Sequence, residues 1–310
     1  MPCAMVHMAV AGRILEEWKE NPRQAPVSPG REGVEDAFLH GALAPDMGFI
    51  PGTHRLVSEA AHYLRPGDLA RRLLQEADTP QEEAFVWGWA SHLLADVEIH
   101  PLVGRAVGER LYGDRERRVD AMENEAAHVS LEVGLDVAVF RSGIPLAPLP
   151  SAPFFPHRGR IRFLQEALAG TYGLVWDASL LTQHHLRAVT LTLWWPGALR
   201  VLPLRRPGAP GAASAEGGLA RLARRRSGAT ALTGFLGPEA PRSWFLDMVM
   251  DRIRSFPQRF RRLVHSGLEE VGNPNLETGR PTPVGSGHPA TDEAARKVER
   301  ARRRKVPIPG

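Results

Sequence analysis

Two runs of acidic and imidazole side chains, both at one helical spacing, constrain the fold more than any other feature of this sequence. They are His92-x3-Asp96-x3-His100 and His128-x3-Glu132-x3-Asp136, each set among apolar residues. Residues four apart lie one turn from each other on one face of an α-helix, so a histidine and a carboxylate at this spacing can chelate one ion. His92 and His100 would lie about 12 Å apart, too far for one ion to bind both. The spacing therefore predicts at least two metal ions between two helices.

The types of these side chains favour zinc. Imidazoles and carboxylates without a thiolate are borderline ligands, for which manganese and iron are less favoured. A single histidine in an apolar helix is more often a hydrogen-bonded core residue, but that explanation would have to cover two histidine–carboxylate pairs and a further histidine at once. We expect Asp136 to accept a hydrogen bond from a ligand imidazole. The N-terminal part of the chain adds further candidates: His7, Asp46, His54 and His62.

Apolar positions recur at helical spacing nearly everywhere before residue 200, which predicts an all-α, multi-helix bundle. We expect Pro101 to end the helix that carries His100, because the residue before a proline is pushed out of helical geometry. The predicted helices are 4–20, 33–43, 53–64, 67–77, 81–98, 116–142, 158–175, 179–195 and 242–269.

The charge is uneven along the chain. Residues 1–200 hold 19 Lys and Arg against 25 Asp and Glu, whereas residues 201–310 hold 20 against 10. We divide the chain into a helical domain (1–200), a Gly/Pro/Arg-rich linker (201–241), a C-terminal helix (242–270) and a disordered basic tail (271–310). The basic region could contact a membrane surface or nucleic acid, or it could be a solvated extension.

The cellular compartment is inferred from three features that the sequence lacks: a cysteine pair, a secretory signal and a membrane-spanning segment. Cys3 is the single cysteine, so no internal disulfide can form. The N-terminus does not show the basic and long apolar regions of a secretory signal, and no segment reaches about 18 uncharged apolar residues. We therefore expect a cytoplasmic protein.

Four segments in this order resemble the zinc-dependent phospholipase C family: His7, FLHGALAPDMGF at 38–49, SHLLADVEIHP at 91–101 and EAAHVSLEVGLD at 125–136. The superfamily also includes single-strand-specific nucleases and the glycosylphosphatidylinositol-specific phospholipase D. The resemblance covers roughly residues 2–140 and implies a helical bundle with two or three zinc ions in a cleft. The spacing between Asp96 and His100 is shorter than in the phospholipase and nuclease patterns. It looks closer to bacterial relatives of the phospholipase D N-terminal domain.

The resemblance also implies which residues bind each ion. The third ion would be held by the N-terminal amine, by His7 and by Asp96 as a bridge. Removal of Met1 would free the Pro2 amine five residues before His7, so we expect Pro2 to complete that site. His54 competes with His62 for the first ion, and the spacing from Asp46 favours His62. The implied ligands are Asp46, His62, His92 and Asp96 for the first ion, and His100, His128 and Glu132 for the second.

The implied function is zinc-dependent phosphodiester hydrolysis by activated water, in the manner of phospholipase C, with Asp46 orienting or deprotonating the water. The substrate would be a phospholipid or another phosphodiester. Trp194 and Trp195 could contact lipid or stack on bases, although core packing explains them as well. The sequence has no Gly-rich phosphate cradle, no Gly-x-Ser-x-Gly elbow and no Cys–His nucleophile arrangement, which argues against covalent catalysis.

Three other interpretations remain open. One is a single-strand nuclease-like phosphodiesterase. Another is a non-catalytic, zinc-stabilised binding protein whose basic region docks to membrane or nucleic acid. The last is a di-iron carboxylate bundle, because Glu59-x-x-His62 and Glu125-x-x-His128 have the spacing that such bundles use. The di-iron interpretation leaves His92, Asp96 and His100 without a role.

Overall fold

A computed structural model describes residues 3–50, 52–148, 154, 158–207 and 237–304. Within these ranges the chain forms ten α-helices, three short 3-10 helices and one two-stranded antiparallel hairpin, which confirms the all-α prediction. The helices are α1 (Ala4–Glu20), α2 (Val34–Leu43), α3 (Leu56–Tyr63), α4 (Pro66–Glu76), α5 (Pro80–Tyr112), α6 (Glu125–Arg141), α7 (Arg158–Tyr172), α8 (Ala178–Val201), α9 (Ser243–Ser266) and α10 (Pro289–Arg304). The 3-10 helices are Pro22–Gln24, Ala44–Gly48 and Leu268–Val271, and β1 (Pro274–Asn275) pairs with β2 (Arg280–Pro281).

Local capping explains where several helices begin. Thr79 and Glu82 form a capping box at the start of α5, in which each side chain accepts a hydrogen bond from the backbone of the other. Asn124 caps α6 by accepting a hydrogen bond from Ala127 N at 3.0 Å. For this reason α6 begins at Glu125, nine residues later than we predicted.

The contact between α2 and α5 is unusually close because both helices have glycine at the crossing point. A β-carbon at Gly41 would collide with the carbonyl of Phe85, and one at Gly88 would collide with the carbonyl of Phe38. Without side chains at these positions the two backbones touch. This approach brings the Ala42 carbonyl to 2.9 Å from His92 Nδ1. The crossing of α2 and α5 therefore orients one of the predicted ligands.

The prediction that Pro101 ends the helix of His100 is wrong, because α5 continues to Tyr112. A proline removes only its own N–H from the helix and crowds the carbonyl four residues earlier, here that of Val97. The turns that follow bury apolar side chains such as Val103 and Val107, which offsets that cost. Gly279, at φ 67°, packs so closely on this turn that a β-carbon there would collide with the Val97 carbonyl and crowd the Pro101 ring.

Residues 271–304 are ordered, so the prediction of a disordered tail is wrong for them. The hairpin and α10 bury Leu276, Ala294 and Val298 against the helical body. Lys297 Nζ lies 2.7 Å from both carboxylate oxygens of Glu59 on α3. The basic C-terminal region thus contacts the acidic helical body. Its buried apolar side chains stabilise this contact, and the composition of the region alone did not reveal them. The remaining domain boundaries stay predictions.

The predicted linker is only partly described. Helix α8 runs on to Val201, and Arg205 bridges to Glu239 where the chain is described again. Most of the segment, 208–236, lies outside the described residues, as do 305–310 of the predicted tail. In the described part of the chain, none of the helices is both long enough and apolar enough to cross a membrane.

Candidate metal centre

Asp96 lies at the centre of a buried cluster of imidazoles. Its Oδ1 is 3.3 Å from His7 Nε2 and 3.3 Å from His100 Nε2. Its Oδ2 is 3.3 Å from His62 Nε2 and 3.1 Å from His92 Nε2. Each carboxylate oxygen therefore faces its own pair of ring nitrogens, which is the arrangement of a carboxylate that can bridge two ions.

On the Oδ2 side, Asp46 joins His62 and His92. Asp46 Oδ1 is 3.2 Å from His62 Nε2 and 3.8 Å from His92 Nε2. The Nδ1 atoms of the two rings point away from the cluster, to the Ser58 carbonyl at 2.8 Å and the Ala42 carbonyl at 2.9 Å. Such backbone contacts fix the ring orientation and leave Nε2 free for a metal ion. Asp46, His62 and His92 form one group that could hold a metal, with ligand atoms within 4.8 Å of one another.

His7, which faces Oδ1, forms a second group of the same kind with Asp96 and His92, although His92 Nε2 itself lies next to Oδ2. The rings of His7 and His92 are stacked with centroids 3.8 Å apart. Pro2, the amine predicted for this site, lies outside the described residues.

Asp136 holds the helix that carries His7. Its Oδ1 accepts a hydrogen bond from Met5 N at 2.9 Å, and its Oδ2 accepts one from Trp195 Nε1 at 2.8 Å. Our expectation that Asp136 accepts from a ligand imidazole is not supported by these contacts. Its partners are the first turn of α1 and the indole of α8. Burial raises the pKa of Asp136 to about 7, although both hydrogen bonds lower it.

A third group lies beyond His100 and contains the predicted ligands His128 and Glu132. His128 Nε2 donates to the Val119 carbonyl, which leaves Nδ1 facing inward. His100 Nδ1 is 4.0 Å from Glu132 Oε1. One further carboxylate, Glu277 from the hairpin, reaches the same rings: its Oε1 is 3.5 Å from His128 Nδ1.

Glu277 was not predicted from the sequence. It has no histidine or carboxylate at chelating spacing, and it lies among Gly, Pro, Asn and Thr residues that indicate disorder. No local signal could have found it, because only the tertiary fold brings residue 277 next to residue 128.

Two properties of the clustered side chains fit a bound metal ion: they contain buried polar atoms without a partner, and their pKa values show that the carboxylates favour positive charge. Among the described residues, Asp96 Oδ2, His100 Nδ1 and His128 Nδ1 are buried without a hydrogen-bond partner. Buried polar atoms are normally paired, and a bound cation would pair these. Burial lowers the pKa of His62, but Asp46 and Asp96 outweigh it and raise the value to about 9. Burial raises the pKa of Asp96, but His92 and His100 hold it well below its usual range. The carboxylates thus favour positive charge at this point.

Several candidates lie outside the cluster. His54 contacts His184 through its backbone N–H at 3.1 Å, so His62 is the histidine that the fold brings to Asp46. Glu59 is paired with Lys297, and Glu125 Oε1 is 3.1 Å from Arg55. Both glutamates of the supposed di-iron pairs are therefore engaged by cations of the protein, which argues against a di-iron centre.

The helical fold and this centre define a class: an all-α protein with a buried imidazole–carboxylate cluster suited to several divalent ions. The model of the family "Zinc dependent phospholipase C" matches residues 6–172, and the chain belongs to this family. This confirms the resemblance noted in the sequence. Membership and the two His/Asp groups support a zinc-dependent phosphodiesterase in general. The closer likeness to the phospholipase D branch stays a prediction.

Among curated proteins, an uncharacterized protein from Archaeoglobus fulgidus is 27% identical over 101 residues. The match covers 32% of this chain and 30% of that protein, so the chain spans less than a third of its relative's length. No solved structure matches the chain. The family match includes all the described candidate ligands predicted from the sequence, and it ends before Glu277.

Proposed function

We propose that this protein is a zinc-dependent hydrolase that cleaves phospholipids in the manner of phospholipase C, with activated water as the nucleophile. The observation that carries the proposal is the division of the Asp96 carboxylate between two pairs of imidazole nitrogens. When bound there, zinc ions would polarise the phosphoryl oxygens of the substrate and lower the pKa of a bound water. Family membership supports the same chemistry.

The proposed roles of the side chains follow from their geometry. His62 and His92 would bind one ion through Nε2, with their rings held by backbone carbonyls. Asp96 would bridge two ions through its two oxygens. Asp46, whose Oδ1 lies 3.2 Å from His62 Nε2 and 3.8 Å from His92 Nε2, would bind the first ion and orient or deprotonate the attacking water.

An exposed apolar face on α8 supports a lipid substrate. Trp194 is 75% exposed, and Leu186, Leu193 and Val201 are exposed on the same side of the helix. Its neighbour Trp195 turns inward to Asp136, which ties α8 to the first turn of α1. An exposed tryptophan that shares a helix face with exposed leucines suits insertion at a lipid surface better than it suits base stacking alone.

A substrate panel tests this function. Protein of measured zinc content would be given a chromogenic phosphodiester, phosphatidylcholine vesicles and single-stranded DNA. We expect hydrolysis of phosphatidylcholine to diacylglycerol and phosphocholine, and loss of this activity after chelation. Hydrolysis of DNA alone would instead indicate a nuclease. Inactivity of fully zinc-loaded protein on every substrate would indicate a zinc-stabilised binding protein.

Asp46→Asn separates the role of Asp46 as a base from its role as a ligand. An amide keeps the shape and one oxygen donor but cannot accept a proton at neutral pH. We expect turnover to fall by about 10²-fold while zinc content stays near that of the wild type. Steady-state kinetics with metal analysis would measure both, and Asp251→Asn, 74% exposed on α9, is the control. Loss of zinc in parallel with turnover would show that Asp46 acts only as a ligand.

A further inference from the structure

The C-terminal hairpin places a carboxylate in the metal centre. Glu277 lies between β1 and β2, outside the segment that the family model matches. Asn275 shapes this turn, because its Oδ1 accepts a hydrogen bond from Glu277 N at 2.9 Å. Asn275 Nδ2 in turn donates to Thr291 Oγ1 at 2.9 Å, and Leu276 N donates to the His62 carbonyl at 3.0 Å. The turn is thus attached both to α10 and to the helix that carries a predicted ligand.

The side chain of Glu277 is 5% exposed and points at two histidines. Its Oε1 is 3.5 Å from His128 Nδ1 and accepts a hydrogen bond from Ala121 N at 2.9 Å. Its Oε2 is 4.0 Å from His100 Nδ1. Both Nδ1 atoms are buried and, among the described residues, have no hydrogen-bond partner. These distances leave room for a cation between the carboxylate and the rings.

A second buried carboxylate lies beside the first. Glu132 Oε1 is also 4.0 Å from His100 Nδ1, so two acidic side chains converge on the same ring. Two buried carboxylates repel each other unless a cation or a shared proton compensates them. Two imidazoles and two carboxylates form the four-ligand set that zinc binds in tetrahedral geometry.

We propose that Glu277 is a fourth protein ligand of the ion held by His100, His128 and Glu132, so that the C-terminal hairpin closes this site. The inference rests on zinc binding at the centre, not on any particular substrate. Four protein ligands are typical of closed sites, whereas catalytic zinc keeps an open position for water or substrate. This ion would therefore attach residues 273–304 to the helical body. The site would also be linked to Asp96, because His100 Nε2 lies 3.3 Å from Asp96 Oδ1.

Glu277→Gln tests the proposal through zinc affinity. The amide is nearly isosteric and can still accept from Ala121 N, so the fold should persist, but it is a weak zinc ligand. Titration against a chromophoric chelator should show one site weakened by at least about tenfold. Glu269→Gln is the matched control, because Glu269 precedes the same hairpin but is 82% exposed. Equal zinc affinity in wild type and Glu277→Gln would overturn the proposal.

Hydrogen exchange gives a second readout. In the wild type, removing zinc should increase exchange in residues 273–304, whereas in Glu277→Gln the same segment should already exchange fast with zinc present. A Glu277 that serves only as a structural acceptor predicts zinc-independent protection, and that result would contradict the proposal. Should Glu277→Gln fail to fold, Glu277→Asp keeps the charge but withdraws the carboxylate, and it too should weaken one site.

These measurements do not depend on catalysis. A protein inactive on every phosphodiester but weakened in zinc binding by Glu277→Gln would uphold the ligand and refute the proposed function. An active protein whose zinc affinity is unchanged by Glu277→Gln would support the proposed function and refute the ligand role of Glu277.

Discussion

Asp96→Asn should lower turnover on a phosphodiester by at least about 10³-fold and should also reduce the number of zinc ions bound. The aspartate presents one oxygen to His7 and His100 and the other to His62 and His92. An amide has one oxygen, and its nitrogen cannot bind zinc. The substitution therefore removes a ligand from one of two adjacent positions and takes away the negative charge that stabilises both.

Metal analysis and kinetics on the same preparation check this prediction. Glu98→Gln is the control, because Glu98 lies on α5 two residues from Asp96 but pairs with Arg259 on α9. That variant should keep its zinc and its activity. If Asp96→Asn retained the wild-type zinc count and turnover, the bridging role of Asp96 would be refuted, and the proposed hydrolytic centre with it.

Removal of zinc should lower the midpoint of thermal unfolding by about 10 °C or more. A ligand at 1,000 times its Kd stabilises the native state by about 4 kcal/mol, and 1 kcal/mol shifts the midpoint by about 2–4 °C in a domain of this size. Without cations, the buried carboxylates and imidazoles of the centre lose their compensating charge. Adding zinc back should restore the midpoint, whereas magnesium, which prefers oxygen ligands, should not.

Calorimetry on stripped and reloaded protein would measure the shift. In His92→Gln the difference between the two forms should shrink, because His92 belongs to both groups of ligands around Asp96. In the control His265→Gln, the difference between stripped and reloaded protein should remain as in the wild type, because His265 is an exposed residue of α9. Identical melting of stripped and loaded wild-type protein would show that the cluster does not bind zinc tightly.

Much of the helical body could be predicted from the sequence, because helices are local. Helix α1 spans the residues predicted for it, and α2, α4 and α7 differ by a few residues. Prediction failed where a distant contact outweighed a local signal. Pro101 is a helix breaker by itself, yet the apolar side chains buried in the turns after it stabilise the continued helix. The C-terminal composition indicates disorder, yet Lys297 on Glu59 and a few apolar anchors order residues 271–304.

The candidate centre divides in the same way. The i, i+4 pairs of α5 and α6 are visible in the sequence because one helical turn determines which side chains are neighbours. What the tertiary structure alone decided is which oxygen of Asp96 faces which histidines, and that Glu277 enters from the far end of the chain. The spacing from Asp46 already favoured His62 over His54, and the fold agrees with it. The physical reason is distance along the chain: spacing specifies neighbours within a helix, whereas the meeting of separate helices and a hairpin depends on how their buried faces pack.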